Sequence, residues 1–358
     1  MKSRKGSKSN PFAERLAAFA EKVSGRGLDA ALVYGQANVR ALTGVDCDNA
    51  CLLVAGGRPA LFTDFRYTDA IRRTAPWLDL GDIKRLSGKR PFAFRGAKFS
   101  RVGYESSVSH AKYLKLRKAF PEARFTDVLD DVAALRAVKT PQEQERIRAA
   151  AALNDEIWRR AREGFRPGMT ERDMARAIRH LMIDLGDGEA FDTIVCVGAN
   201  AAECHHVPDG TVWNGREPVL VDMGVRLDGY CSDMTSNIRP ARQSRLYSKV
   251  YALGREANER AIAALRPGIR CCDLDRVARS FLSKNGFGKA FGHSLGHGVG
   301  IEIHESPAAS KKSKDELKAG MTVTIEPGVY LSGNLGVRIE DLALVTEYGC
   351  EVLSHSEK

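Results

Sequence analysis

The sequence lacks several features that mark common protein classes. It contains no run of about 18 apolar residues, so we expect no membrane span. The first ten residues are basic and polar and have no apolar stretch of the kind that a secretory signal needs, so we interpret residues 1–10 as a disordered basic tail. We find no phosphate-binding glycine loop in the first half of the chain, which argues against a nucleotide-binding domain there.

Cysteine pairs and a basic stripe are also missing. None of the eight cysteines forms a Cys-x-x-Cys pair, which argues against a zinc ribbon. In a chain of 358 residues without a signal they are most simply reduced thiols, so we expect a cytoplasmic protein. The formal net charge is +10. Four of these charges lie in the tail (Lys2, Arg4, Lys5 and Lys8) and no basic stripe with interleaved aromatics follows, so we expect no nucleic-acid partner.

The length is about enough for two domains, and the first half alternates strand-like and helix-like segments. Residues 11–25 have apolar positions at helical spacing, and residues 66–76 are helical and end at Pro76. Residues 28–35 and 50–64 are typical of strands, the second with a hairpin turn at Gly56-Gly57. The pattern predicts an α/β N-terminal domain over residues 11–133.

A second domain is predicted over residues 134–358. Thr140 followed by Pro141 predicts the start of a helix that ends at Gly164, and a second helix follows Thr170. After residue 190 the chain consists mostly of strands, interrupted by helices around 244–265 and 272–285. This order indicates two similar halves of one α+β domain.

Two aspartates flank a predicted hairpin in residues 217–238. If Asp228-Gly229 forms the turn, Asp222 faces Thr235, and Asp222 and Asp233 lie on one face of the sheet, roughly 7 Å apart at Cβ. Two buried carboxylates at that separation repel each other and need a cation. The alternative is that one aspartate is exposed and the other caps a turn.

A glycine-rich segment, residues 288–305, contains His293, His297 and His304. Glycines allow the backbone and a metal to approach closely, and imidazole is a common ligand of transition metals. A single histidine here would more often be an ordinary core or surface residue, but three in such a frame point to a site.

Two glutamates lie in apolar strands. Glu326 ends a strand before a Pro-Gly turn, and Glu340 lies beside Arg338 and Asp341. A buried glutamate is unfavourable unless it is paired or metal-bound. Arg338 either forms an ion pair with Glu340 or supports a metal-bound carboxylate. Four carboxylates and one imidazole form an oxygen-rich site for two divalent ions, suited to hydrolysis of an amide or ester with the substrate left open.

The ordered motifs VLVDMG, GYCSDMT, GHSLGHGVG, IEPGVY and GVRIED resemble those of the pita-bread metallopeptidases, over roughly residues 134–355. Residues 28–45 and 59–71 are similar to the creatinase/prolidase N-terminal domain. The resemblance favours the Xaa-Pro aminopeptidase/prolidase branch. It implies an α/β N-terminal domain followed by an α+β pita-bread (creatinase/aminopeptidase) catalytic domain.

The resemblance also implies a role for each site residue. The metal ligands of the family fall on Asp222, Asp233, His297, Glu326 and Glu340. Glu326 also matches the proton shuttle, and Arg338 matches an arginine typical of this branch that we count with the catalytic residues. Residues 191–207 place His205 at the substrate-binding histidine of the family. His304 fits a histidine that contacts the substrate and the developing oxyanion, and His293 fits a third one nearer the substrate pocket.

The sequence departs from the family pattern at two places. Thr235-Ser236-Asn237 stands where the family usually has Thr-Arg-Thr, so an arginine near the site is lost. Cys204 replaces the usual proline before His205, and His206 follows, so either histidine could reach the substrate. Because neighbouring side chains of an extended segment point to opposite faces, only one of the two faces the metals. Register with the family favours His205.

The expected function is hydrolysis of the Xaa-Pro bond at the N-terminus of peptides, by a hydroxide that bridges two metals. Family analogy suggests manganese, with cobalt or zinc as alternatives, and a homodimer acting on proline-containing peptides. The nearest alternative is a prolidase, which accepts only dipeptides. A peptide-binding pseudoenzyme is a further alternative, against which the complete ligand set argues.

Overall fold

The computed structural model describes residues 10–56, 58–86 and 99–358 and consists of two compact units, Met1–Arg136 and Ala137–Lys358. Of the predicted tail only Asn10, and of the predicted turn only Gly56, lie among the described residues. The domain boundary that we place between residues 133 and 134 lies inside the helix Leu129–Ala137.

The first unit is built on a six-stranded mixed sheet with the order β4-β3-β2-β1-β5-β6. The pairs β1/β2 and β2/β3 are antiparallel and the other pairs are parallel. The strands are β1 (Ala30–Val33), β2 (Ala50–Ala55), β3 (Arg58–Thr63), β4 (Asp79–Asp82), β5 (Arg101–Tyr104) and β6 (Arg124–Asp127). The pairing of Ala55 with Arg58 confirms the predicted hairpin.

Both faces of this sheet are covered. Ala31 and Val33 pack into one apolar cluster, and Ala30 and Leu32 pack into another, because successive residues of a strand point to opposite faces. The helices of the unit are α1 (Pro11–Gly25), α2 (Gln36–Thr43), α3 (Phe65–Thr74), α4 (His110–Ala119) and α5 (Leu129–Ala137), with a short 3₁₀ helix at Ile83–Leu86. The α/β prediction for this unit is confirmed.

The second unit begins with two capped helices, α6 (Pro141–Gly164) and α7 (Glu171–Leu185). The Thr140 hydroxyl accepts a hydrogen bond from the Glu143 amide at 3.3 Å, and the Glu143 carboxylate accepts one from the Thr140 amide at 2.8 Å. This reciprocal pair fixes the start of α6 where the sequence predicts it.

Each of two helix pairs packs against its own sheet. Helices α6 and α7 cover the three-stranded sheet of β7 (Ile194–Val197), β8 (Val219–Met223) and β11 (Met234–Ile238). Helices α8 (Arg245–Ala264) and α9 (Cys271–Lys284) share a core with the five-stranded sheet of β12 (Gly296–Gly298), β13 (Glu305–Ala309), β14 (Thr322–Ile325), β17 (Asp341–Val345) and β18 (Cys350–Val352). The α+β prediction for this unit is confirmed, and each half consists of a helix pair and a sheet, as the predicted order of elements indicates.

Two short ribbons complete the unit: β9 (Arg226–Leu227) with β10 (Tyr230–Cys231), and β15 (Gly328–Leu331) with β16 (Leu335–Arg338). A 3₁₀ helix spans Gly198–Ala202. The Glu340 amide donates to the carbonyl of Thr235 at 3.3 Å, so the segment between β16 and β17 lies against β11. The ends of both sheets therefore meet where the predicted ligands lie.

Candidate metal centre

A tight hairpin positions the two aspartates. Asp228 and Gly229 have φ angles of 48° and 70°, the left-handed pair that a two-residue type I′ turn requires. Asp222 pairs with Thr235 across β8 and β11, which confirms the predicted register. A Cβ atom at Gly224 would lie 2.2 Å from the carbonyl oxygen of Ser232, so only glycine allows the chain to pass Asp233 this closely.

Glycines also position His297. A Cβ atom at Gly296 would lie 1.8 Å from the carbonyl oxygen of Thr324, and one at Gly298 would lie 2.3 Å from that of Ser306. Strand β12 is therefore held tightly between β13 and β14. The Nε2 atom of His297 lies 3.5 Å from Asp233 Oδ2 and 3.5 Å from Glu326 Oε1. The three side chains thus converge on one point.

Two threonines fix the glutamates. The Thr324 hydroxyl donates to Glu326 Oε1 at 3.3 Å and accepts a hydrogen bond from the His297 amide at 3.0 Å. The Thr235 hydroxyl donates to Glu340 Oε2 at 2.7 Å. Glu340 is 2 % exposed, so its carboxylate is held in a nearly dry environment. Its geometry is set by β11 and by the segment that joins β16 to β17.

One cavity of about 310 Å³, which we call the catalytic cavity, collects every residue that the sequence predicts for the site. The apolar side chains of Phe191, Ile194, Ile303 and Ala308 form other parts of its lining. The predicted residues that line it are Asp222, Asp233, His297, Glu326, Glu340, His205, His293, His304 and Arg338.

Burial and mutual repulsion destabilise the ionised form of the carboxylates in this cavity. Burial, together with the charges of Glu340, Asp222 and Glu326, raises the pKa of Asp233 well above its usual range. Burial also raises the pKa of Glu340 to about 7, with a contribution from Asp222. So much negative charge in a desolvated cavity needs a compensating cation.

Asp222 provides a direct test of whether a metal fits. Its Oδ2 atom accepts a hydrogen bond from Arg338 at 2.5 Å, whereas its buried Oδ1 atom has no hydrogen-bond partner among the described residues. An unpaired buried carboxylate oxygen is unfavourable unless it coordinates a cation. Burial, together with His304, lowers the pKa of His297 to about 4, which keeps the imidazole in the neutral form that binds metals. The donor set therefore fits divalent ions.

Arg338 binds Asp222 and two neighbouring hydroxyl groups and forms no ion pair with Glu340. Its Nη2 atom donates to Asp222, its Nε atom donates to the Thr235 hydroxyl at 2.9 Å, and its Nη1 atom donates to the hydroxyl of Tyr330 at 3.0 Å. Of the two predicted roles for Arg338, the geometry matches support of a carboxylate at the metal site.

Sequence reasoning missed Tyr330. Its hydroxyl lies 2.9 Å from His293 Nε2 and accepts from Arg338, so it joins the two. A signal was present, because strand alternation places Gly328 and Tyr330 on the same face. A Cβ atom at Gly328 would lie 2.4 Å from the tyrosine hydroxyl. Burial raises the pKa of Tyr330, which keeps the phenol neutral.

The adjacent histidines point in different directions. His205 lines the catalytic cavity, and the Nε2 atom of His206 lies 2.7 Å from Glu171 Oε2, which is fully buried. Glu171 also accepts hydrogen bonds from the amide of Val197 at 2.6 Å, the side chain of Asn200 at 2.9 Å and the amide of Asp209 at 3.0 Å. Glu171, His206 and Asp209 thus form a second compact polar group, whose central carboxylate is fully hydrogen-bonded.

Ser236 and Asn237, which replace the family's usual Arg-Thr pair, are buried and donate hydrogen bonds to backbone carbonyls. Ser236 donates to the carbonyl of Glu357 at 3.2 Å, and Asn237 donates to the carbonyl of Arg338 at 2.8 Å. Asn237 therefore fixes the backbone two residues before Glu340.

All eight cysteines are free thiols. Among the helices of the described residues, none combines the length and the apolar character that a membrane span requires.

Comparison with known proteins places this geometry in a family. Residues 145–347 match Metallopeptidase family M24, and residues 15–138 match the Creatinase/Prolidase N-terminal domain. An uncharacterised peptidase of Bacillus subtilis, YqhT, is 31% identical over 338 residues, which are 93% of this chain and 95% of that protein.

Two solved structures are similar over nearly their whole length. A Xaa-Pro dipeptidase from Bacillus anthracis is 29% identical with a TM-score of 0.90, covering 97% of this chain and 98% of its own. An X-Pro aminopeptidase from Thermotoga maritima is 30% identical with a TM-score of 0.83, covering 93% and 97%. The chain is therefore a peptidase of the M24 metallopeptidase family, in its Xaa-Pro peptidase branch, with a creatinase-type N-terminal domain and a pita-bread catalytic domain.

Proposed function

We propose that this peptidase removes the N-terminal residue from peptides whose second residue is proline, as an Xaa-Pro aminopeptidase. The observation that carries the proposal is the composition of the catalytic cavity. Its volume of about 310 Å³ is lined by four carboxylates, by the proposed ligand His297, by three further histidines and by an apolar wall. The names of the Bacillus anthracis and Thermotoga maritima proteins support a substrate with proline after the cleaved bond.

The metal ligands in this proposal are Asp222, Asp233, His297, Glu326 and Glu340, which would hold two divalent ions, with manganese as the preferred metal. Bound ions of this kind lower the pKa of water and polarise a carbonyl group. The positive charge also offsets the burial and the repulsion that together raise the pKa values of Asp233 and Glu340. Arg338 donates to one oxygen of Asp222 and leaves the other, buried oxygen without a hydrogen-bond partner among the described residues, available to a cation.

Glu326 moves the proton. Without cations, burial and the neighbouring Glu340 raise its pKa, and bound cations would oppose this shift and keep the carboxylate ionised, ready to accept a proton. In the proposed mechanism it takes a proton from the attacking water and delivers it to the proline nitrogen as the bond breaks. The hydrogen bond from Thr324 to Oε1 orients the carboxylate for both transfers.

Histidines bind the substrate and the charge that develops on it. The ring of His304 contacts that of His297 edge-on, with centroids 4.3 Å apart, which would place it beside a carbonyl group bound at the metals. We assign His304 and His205 to hydrogen bonds with the substrate carbonyl and the oxyanion. Burial lowers the pKa of His293 to about 4, and the neutral ring, held by Tyr330, lines the substrate pocket.

The apolar residues of the wall, Phe191, Ile194, Ile303 and Ala308, suit the proline ring. The amide nitrogen of a proline residue has no hydrogen to donate, so contact with an apolar wall leaves no hydrogen-bond donor unsatisfied. This match favours Xaa-Pro over other peptide bonds.

The test compares Ala-Pro, Ala-Pro-Ala and Ala-Ala-Ala as substrates of the manganese-loaded protein, with release of free alanine as the signal. We expect alanine from Ala-Pro-Ala and little from Ala-Ala-Ala. Cleavage of Ala-Pro alone would identify a dipeptidase, the second candidate, which the name of the Bacillus anthracis protein supports. No cleavage of either proline peptide would contradict both.

A further inference from the structure

A second cavity, also of about 310 Å³, adjoins the catalytic cavity, and we call it the lysine cavity. His293 and Ser294 line both cavities, so the two meet at this pair of residues. The remaining lining comes from Gly292, Arg279 and the segment Ser310 to Lys312. No acidic side chain lines it, although the catalytic cavity beside it contains four carboxylates.

Arg279 is part of the wall and is already neutralised. Its Nε and Nη2 atoms donate to the two oxygens of Asp275, each at 2.7 Å. Its Nη1 and Nη2 atoms also donate to the carbonyls of Phe291 at 2.8 Å and His293 at 2.7 Å. Asp275, which is 1 % exposed, also accepts a hydrogen bond from the Leu295 amide at 3.2 Å. This buried pair fixes the backbone at His293, which borders both cavities.

The uncompensated charge comes from Lys311 and Lys312. Both follow β13 in a turn that the hydrogen bond from the Ser313 amide to the carbonyl of Ser310, at 3.1 Å, closes. Within the described parts of the chain, neither ammonium has a carboxylate within 4.0 Å. Two adjacent lysines without a counter-ion, at the mouth of a cavity, attract an anion.

A peptide positioned for cleavage would meet the two cavities in a fixed order, because its amino terminus and the cleaved bond lie in the catalytic cavity and the residues after proline lie beyond that bond. An extended chain advances roughly 3.3 Å per residue, so a carboxylate on the residue after proline lies on the order of 7 Å beyond the cleaved bond. His293 and Ser294 border both cavities, so a chain that passes these residues on leaving the catalytic cavity comes to the lysines.

We propose that the lysine cavity binds a carboxylate carried by the residue that follows proline in the substrate. This inference rests on the proposed Xaa-Pro cleavage and adds a preference for short or acidic peptides. The carboxylate has two sources with the same chemistry, the C-terminus of a tripeptide and an acidic side chain in a longer peptide. Arg338 takes no part, because Asp222, Thr235 and Tyr330 occupy its donors.

The kinetic test compares Ala-Pro-Gly with its C-terminal amide in the manganese-loaded protein. We expect the free acid to have a KM about two- to fivefold lower, the size of effect that exposed ion pairs produce. The double variant Lys311→Gln/Lys312→Gln should raise the KM of the acid to that of the amide and leave kcat on the amide unchanged. Equal KM values in the unmodified protein would overturn the proposal.

A second pair of substrates separates the two sources of carboxylate. Ala-Pro-Asp amide and Ala-Pro-Asn amide have the same length and differ only in one charge. Preference for the aspartate peptide, lost in the double variant, assigns the cavity to acidic side chains as well as to chain ends. Preference for the free acid alone restricts the cavity to tripeptides, which still supports a carboxylate subsite.

Two control variants test whether the preference depends on positive charge and on its location in the lysine cavity. Lys311→Arg/Lys312→Arg keeps the charge and should keep the preference, and Lys284→Gln removes an exposed charge from α9 and should have no effect. Calorimetric binding of the product Pro-Gly, against Pro-Gly amide, needs no turnover. A protein that cleaves no Xaa-Pro peptide but binds the acid more tightly, through these lysines, would contradict the proposed function and support the subsite. A preference that survives in the double variant would overturn the subsite alone.

Discussion

The catalytic unit contains two buried groups of carboxylates and histidines, and they differ in how their charge is satisfied. Around Glu171, both carboxylate oxygens accept hydrogen bonds, from His206, Asn200 and two backbone amides. Around Asp222, one oxygen has no partner among the described residues, and the neighbouring Asp233 has a strongly raised pKa. Residue types alone do not distinguish the two groups.

The difference gives a physical criterion for a metal site. A carboxylate that the protein itself saturates with donors gains little from a cation, whereas crowded carboxylates with an open oxygen are stabilised strongly by one. By this criterion we assign metal binding to the Asp222 group and propose that the Glu171 group is a structural clamp. The predictions that follow test this division.

Removing the metals should have the largest effect. We expect the protein to bind about two divalent ions per chain and chelation to abolish hydrolysis, because the water and the carbonyl lose their activation. His297→Ala should lose metal, since it removes the imidazole that lies 3.5 Å from Asp233 and Glu326. Metal analysis of the purified protein and its variant checks both, and full activity in metal-free protein would contradict the mechanism.

Glu326→Gln should lower the rate by about a hundredfold or more. The amide keeps the shape and the contact with Thr324 but neither accepts a proton readily nor binds a metal well. Steady-state kinetics on Ala-Pro-Ala measures the loss. The matched control is Glu302→Gln, an exposed glutamate outside the catalytic cavity that should leave the rate unchanged. A near-normal rate for Glu326→Gln would mean that Glu326 is only structural.

Much of the fold could be predicted from local signals. The capping pair of Thr140 and Glu143, and the left-handed turn at Asp228 and Gly229, are properties of a few adjacent residues. The register of Asp222 opposite Thr235 follows directly from that turn. Such features are visible in a sequence because the residues that determine them are neighbours in it.

Contacts between distant segments could not be predicted. The sequence offers Glu340 as one partner of Arg338, but the arginine pairs with Asp222, which belongs to another sheet. Glu171 follows Thr170 at the start of a predicted helix, and no neighbouring residue indicates that it binds His206, 35 positions further along the chain. The lysine cavity also depends on how β13 and the segment around His293 meet in space.

The adjacent histidines offer the sharpest contrast between the two groups. His205→Ala should lower the rate by about a hundredfold while metal content stays near normal, because it removes a proposed donor to substrate. His206→Ala should have a much smaller effect on rate. His304→Ala should resemble His205→Ala. Turnover and bound metal, measured for each variant, separate these roles, and an inactive His206→Ala beside a mild His205→Ala would show that the register is wrong by one residue.

The smallest effect on catalysis is expected from Glu171→Gln, which tests the clamp itself. The amide nitrogen replaces an oxygen that accepts from His206 and the Asp209 amide, so the unfolding free energy should fall by about 1–3 kcal/mol. Because the proposed metal ligands do not include this group, metal content should not change, and the rate should fall only a few-fold through small shifts of His205. Glu203→Gln is the matched control, since Glu203 is 79% exposed and 3.7 Å from His206, and it should change stability by less than about 0.5 kcal/mol. Thermal unfolding measures the change in stability, and metal analysis measures the bound metal. If Glu171→Gln lost metal while its stability held, the Glu171 group would itself be a metal site, and hydrogen-bond saturation would fail as the criterion that separates the two.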